Sequence, residues 1–193
     1  MPLNIPNLLT WFRILMIPVF IVVFYLPDTT LSPHLKHLLG MTIFILAAIT
    51  DWLDGYLARR LNQGSAFGAF LDPVADKLMV ATALIVLVEL GYLEAFIAVI
   101  IVGREIAISA LREWMAQLGA SKSIAVSMIG KIKTASQMIA ILFLLYQEPL
   151  LGLPIQTIGT VLIYIAALLT LWSMAYYLAL AIPQIAKKSR ERN

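Results

Sequence analysis

Between Asp51 and Lys77 the chain reads DWLDGYLARRLNQGSAFGAFLDPVADK, four aspartates and three cations in one short stretch. On a helix each residue advances about 100°. Asp51, Asp54, Gly55 and Ala58 therefore share an arc of roughly 100°, with Arg59 at its edge. NQGS interrupts the helix, and beyond it Gly68, Asp72 and Asp76 recur every four residues on one stripe. A short turn makes the two helices antiparallel neighbours, so one pair of carboxylates can face the other. Facing like charges repel, and a charge near a bilayer centre costs about 2.5–3.5 kcal/mol even on a lenient scale. Ion pairing to Arg59, Arg60 and Lys77 alone leaves that arrangement poorly explained, and a cation between the stripes relieves it. Hard carboxylate oxygens suit Mg²⁺ or Mn²⁺, and four of them can bridge two ions that clamp the attacking and leaving oxygens of a phosphoryl transfer. Gly55, Ala58 and Gly68 leave room for a ligand beside the acids, and the same small residues also permit close helix packing.

The elements that must carry these acids are oily. Of 193 residues, 61% are hydrophobic and the mean hydropathy is +0.90, well above the roughly 45–50% apolar content of soluble domains. Apolar runs near 14–27, 37–50, 78–93, 95–103, 134–147 and 149–186 predict an all-α, polytopic membrane bundle of six transmembrane helices. Several runs fall short of the roughly 20 residues a span needs, so their helices must continue through charged residues at one end. With both termini cytoplasmic, Arg13, Arg59, Arg60, Lys77, Arg104, Arg112, Lys122, Lys131, Lys133 and the tail KKSRERN fall on the inner side. Only Lys36 falls outside, as the positive-inside bias requires. The net charge of +3 thus records sidedness rather than nucleic-acid binding.

The chain reads as one domain over 1–193, with an interfacial segment at 1–7 and a solvated tail at 183–193. The first apolar run lacks a small-residue cleavage pattern after FYLPDTT and reads as an anchor that stays. There is no Cys, which excludes disulfides and thiolate metal sites. His34 and His37 share a short polar connection and read as interfacial residues. Trp11, Trp52, Trp114 and Trp172 fit interfacial belts.

As a pattern the stretch is D-x-x-D-G-x-x-A-R-x8-G-x3-D-x3-D, and it resembles the signature of the CDP-alcohol phosphotransferases at every fixed position: Asp51, Asp54, Gly55, Ala58, Arg59, Gly68, Asp72 and Asp76. NIPNLLTWFRI and REIAISALREWMAQLG extend the likeness toward the branch that uses sn-glycerol 3-phosphate. The resemblance implies transfer of a phosphatidyl group from CDP-diacylglycerol to that acceptor with release of CMP, at an inner-membrane site facing the cytoplasm, in a homodimer. It assigns Asp51, Asp54, Asp72 and Asp76 to two Mg²⁺ ions, with Mn²⁺ as substitute, and Asp76 also to general-base work. It places Asn7, Thr10, Arg13, Gly55, Ala58, Arg59 and Gly68 near CDP-diacylglycerol. For Asn7, Thr10 and Arg13 a helix cap and a snorkelling anchor are equally open.

A phosphorylated acceptor needs further cations, and Arg104, Arg112, Lys131 and Lys133 are the candidates. Lys131 and Lys133 stand two positions apart and cannot both face one pocket squarely. Glu105 and Glu113 each follow one of these arginines, as partners of neighbouring cations or as plain helix surface. Rival readings are a sister enzyme taking inositol phosphate or phosphatidylglycerol, a membrane prenyltransferase, whose aspartate motifs lie farther apart, and a divalent-cation or proton-coupled transporter. A transporter predicts acids spread along the transport depth or broken helices at the midplane, whereas these acids cluster at the ends of two adjacent helices.

Overall fold

The computed structural model describes residues 5–61, 66–117, 128–150 and 152–192. Among these residues the regular elements are helices, apart from an isolated bridge between Leu150 and Leu153. Six follow in chain order: α1 (Ile5–Tyr25), α2 (Pro33–Leu61), α3 (Ala66–Glu89), α4 (Ala95–Gln117), α5 (Met128–Tyr146) and α6 (Ile155–Arg192).

Local chemistry sets several ends. Ser32 and Pro33 open α2 as an N-cap and a first-turn proline, with Ser32 Oγ 3.4 Å from the amide of Leu35. At the far end of α3, Gly91 adopts φ +74°, the left-handed conformation that costs glycine little. The amide of Tyr92 bonds to Leu87 O and that of Gly91 to Val88 O, the paired bonds of a Schellman closure.

Three helices contain stretches long and apolar enough to cross a bilayer: Asn7–Tyr25, Pro33–Leu57 and Ile155–Ala179. The other three do not meet that standard among the described residues. Asp72, Asp76 and Lys77 lie in α3 and Arg104 and Glu105 in α4, and α5 contributes the shorter apolar stretch Ile132–Tyr146 among the described residues. The Pro- and Gly-bearing turn at residues 147–154, where Gly152 has φ +78°, separates α5 from α6, and α6 continues as helix through residues 183–192. Residues 5–7 of the N-terminal segment are part of α1.

The core is a column of apolar side chains that includes Phe20, Phe44, Ala83, Leu84, Leu87, Ile101, Ile141 and Leu144. Polar contacts sort to its two ends. At one, Tyr25 bonds to Glu89, His34 to Glu148, Lys36 to Asp28 at 2.6 Å, His37 to Tyr92 at 3.2 Å and Tyr164 to Glu94 at 2.7 Å. The two histidines thus bond to a glutamate and a tyrosine, as interfacial residues do. At the other end lie the motif aspartates.

α1 wedges between α2 and α3, packing against each more extensively than they pack against one another. α5 packs on α6 and α2, and α4 on α6 and α3. Gly159 lets α6 approach α5: a Cβ there would lie 2.9 Å from Phe143 Cβ and 3.3 Å from the Ala140 carbonyl. By contrast, a Cβ at Gly103 in α4 meets nothing within 4 Å. Gly159→Leu should therefore cost about 1–3 kcal/mol through overpacking and lower the thermal midpoint in detergent. Gly103→Ala, relieved of glycine's helix penalty of about 1 kcal/mol, should leave the midpoint unchanged or raise it.

Candidate functional site

α1 presents Asn7, Thr10 and Arg13, each three residues after the last, along one face, and all three are buried. Arg13 is only 1% exposed. Its Nη1 lies 3.0 Å from Asp51 Oδ1 and its Nη2 2.5 Å from Asp54 Oδ2. One turn earlier, Thr10 Oγ1 donates a hydrogen bond to Asp72 Oδ1. One helix therefore holds an acid pair on α2 and the first acid of α3. These geometries dispose of the cap and anchor readings: Asn7 and Thr10 lie within α1, and the guanidinium points inward rather than toward a surface.

The α2 and α3 acids are not equivalent. Asp54 is buried, whereas the Asp51 side chain is 46% exposed. Pro73, inside α3 between Asp72 and Asp76, has no amide hydrogen and leaves the carbonyl of residue 69 without its helical donor. Gly68 is buried and Gly55 half-buried on the faces that carry the acids. The side chains of Ala58, Arg59, Arg112 and Lys131 lie outside the described residues.

Asp51 and Asp76 line one cavity of about 280 Å³, together with Lys77, Val80, Glu105, Thr134, Gln137 and Met138. Small-molecule pockets begin near 300 Å³, so the space suits a compact ligand. Arg13 and Asp76 also border a smaller recess of about 10 Å³, lined by Phe44, Ala47, Met79 and Met138 among others.

The candidate acceptor cations converge on a carboxylate. Lys133, 2% exposed, places Nζ 2.6 Å from Glu105 Oε1, and Arg104 Nη1 lies 3.3 Å from the same oxygen. Glu105 is thus a partner of neighbouring cations, the question the sequence leaves open. Arg104 Nη2 also donates to Ser173 Oγ at 3.1 Å, while its Nε is buried without a hydrogen-bond partner among the described residues. Lys77 Nζ donates to Ser109 Oγ, and Ser109 Oγ in turn to the Glu105 carbonyl at 2.7 Å. Ser109, Gln137, Thr170 and Ser173 escape the sequence reading. They are uncharged, and only a charge interrupting an apolar run signals a site in an oily chain.

The donor set suits a hard divalent cation: carboxylate oxygens, with the motif acids Asp51 and Asp76 and also Glu105 in the walls of one cavity. Among the described residues no three acidic or histidine side chains gather at ligand distance around one point, because Asp51 and Asp54 turn to Arg13 and Asp72 to Thr10.

Residues 3–172 match the profile of a family described as CDP-alcohol phosphatidyltransferase. The chain is 51% identical over 183 residues to proteins of Escherichia coli (strain K12) and Shigella flexneri serotype 5b (strain 8401), a span covering 94% of this chain and 96% of each relative. Both carry the name CDP-diacylglycerol--glycerol-3-phosphate 3-phosphatidyltransferase.

A guanidinium buried against a buried carboxylate leaves a severe imbalance when either is removed. Arg13→Met should cost about 3–5 kcal/mol, read as a lowered unfolding midpoint in detergent. Adding Asp54→Asn, which removes the stranded charge, should recover part of that loss; a double variant no better than additive would show that the two groups are not coupled.

Proposed function

Since the chain belongs to the CDP-alcohol phosphatidyltransferase family, we propose that it transfers the phosphatidyl group of CDP-diacylglycerol to sn-glycerol 3-phosphate, giving phosphatidylglycerophosphate and CMP. The observation that carries the reading is the meeting of Asp51 and Asp76, both motif acids, in one cavity beside Lys77 and Glu105. The relatives' shared name supports the choice of donor and acceptor.

In this mechanism Asp76 accepts the proton of the primary hydroxyl of the acceptor. The freed oxygen attacks the phosphorus bearing the diacylglycerol, the bond from that phosphorus to the CMP oxygen breaks, and CMP departs. Divalent ions, two Mg²⁺ or Mn²⁺ held by Asp51, Asp54, Asp72 and Asp76, would supply Lewis-acid polarisation of the diphosphate. Arg13 compensates the charge of Asp51 and Asp54 and, with Asn7, Thr10 and Arg59, borders the nucleotide. Gly55, Ala58 and Gly68 keep the approach to the acids free of bulk.

Arg104, Arg112 and one of Lys131 and Lys133 receive the acceptor phosphate. For Arg104 and Lys133 this means exchange of the Glu105 carboxylate for a phosphate oxygen, an exchange between anions that leaves the cations compensated throughout. The chain acts as one domain of six spans in the inner membrane, with both termini and the site on the cytoplasmic side, as a homodimer. Residues 1–7 and 183–193 lie at the cytoplasmic surface. The sorting of cations by loop and of polar contacts to two ends supports that topology.

Detergent-solubilised protein should release CMP from CDP-diacylglycerol when given sn-glycerol 3-phosphate, and not when given myo-inositol 1-phosphate, serine or phosphatidylglycerol. EDTA should abolish release and added Mg²⁺ or Mn²⁺ restore it. Asp76→Asn should lower kcat by about 10²–10⁴-fold, the range for loss of a general base. CMP release with a different acceptor would keep the motif's role and overturn the acceptor assignment.

A further inference from the structure

Gln137 lines the cavity that Asp51 and Asp76 share, and neither the motif nor the acceptor cations account for it. It is 4% exposed. Its Oε1 is buried with no hydrogen-bond partner among the described residues. Buried side-chain oxygens are nearly always paired, because one taken out of water and left unpaired is destabilising. No neighbour among the described residues, Thr134 in the same wall included, donates to it. Asp51, Asp76 and Glu105 offer carboxylates, Lys77 is engaged by Ser109, and Lys133, one turn before Gln137 on α5, is engaged by Glu105.

The complement of this group is a neutral donor arriving in the cavity. An alcohol hydroxyl donates and accepts, so it pairs with either end of the carboxamide. An anionic oxygen, acceptor only, would meet the carbonyl with repulsion. Asp76 works on one hydroxyl of the acceptor in the same cavity, and the polyol acceptor carries a second hydroxyl on the adjacent carbon. Two polar groups in one cavity wall can therefore divide a vicinal diol between them.

We propose that Gln137 binds the hydroxyl of the acceptor that is not attacked, on the middle carbon of glycerol 3-phosphate, and so selects acceptors that carry a vicinal diol. Gln137 is a specificity-determining residue, and the inference rests on the acceptor assignment made above.

The test compares kcat/KM for sn-glycerol 3-phosphate with that for 3-hydroxypropyl phosphate, which lacks only the middle hydroxyl, at saturating CDP-diacylglycerol. Wild-type protein should prefer the diol by on the order of 10- to 100-fold, since a site built around a hydroxyl rejects the analogue lacking it. In Gln137→Met, of similar size, the preference should fall to within about threefold, through loss with glycerol phosphate alone. The KM for CDP-diacylglycerol should stay unchanged. An equal loss with both acceptors overturns the proposal, because it marks a packing role. Wild-type turnover of both acceptors without discrimination overturns it independently of whether the variant folds. Wild-type protein that turns over neither, yet releases CMP with another acceptor, overturns the acceptor assignment and this inference with it.

Discussion

Asp51 and Asp54 stand one turn apart on α2, at the end of an otherwise apolar bundle, and a single guanidinium from α1 reaches both. Charge in a poorly solvated setting must be compensated locally, and this pair sets where three helices lie. α1 has to run between α2 and α3, because Arg13 engages the first while Thr10 engages the second. Lysine could not replace this arrangement well. Its ammonium is a compact point charge, whereas the planar guanidinium presents several donors in a fixed fork and can address two carboxylates at once.

The same rule organises the opposite wall. Lys133 is buried in α5 and Arg104 nearly so in α4, and both use Glu105. This cluster joins α4 to α5, and the bond from Arg104 to Ser173 extends it to α6. A buried cation with a carboxylate already beside it avoids the desolvation cost of standing alone. Under the proposed acceptor assignment, binding a phosphate there would exchange one anionic partner for another, which favours reversible capture over tight retention.

Much of this site is legible in the sequence because charge is rare in an apolar chain and helical spacing is regular. Asp51 and Asp54 fall on one arc and Asp72 and Asp76 on one stripe by counting alone, and the number of helices follows from the apolar runs. What counting misses are the contacts that cross the fold. Arg13 and Asp54 are 41 positions apart, and Thr10 and Asp72 are 62. The sequence therefore suggests a two-helix hairpin of acids where the structure has a three-helix cluster with α1 as wedge. Neutral groups leave even less trace: Gln137 and Ser173 look like ordinary helix residues until burial makes their hydrogen bonding costly. The turn at residues 147–154 is legible too, since QEPLLGLP carries the Pro and Gly expected of a loop, and it closes on a left-handed Gly152.

A reaction that joins a lipid to a water-soluble phosphate needs polar and apolar spaces that meet. Beside the 280 Å³ cavity lies a second of about 110 Å³, lined by Leu78, Ala81, Ile101, Val102 and Ile106 along α3 and α4. The two share Lys77, Val80 and Glu105. Lys77 suits such a boundary, since its methylene stem can lie along apolar surface while its ammonium stays with polar partners. Here that partner is Ser109, whose hydroxyl bonds to the Glu105 carbonyl, so the lysine is fixed at the junction by the helix that also supplies Glu105. The charge pattern that first marks the sequence therefore has a second consequence. The acids and cations that draw polar groups to one end of the bundle also interrupt α3 and α4 where the apolar space begins, and the boundary between the two spaces falls at those interruptions.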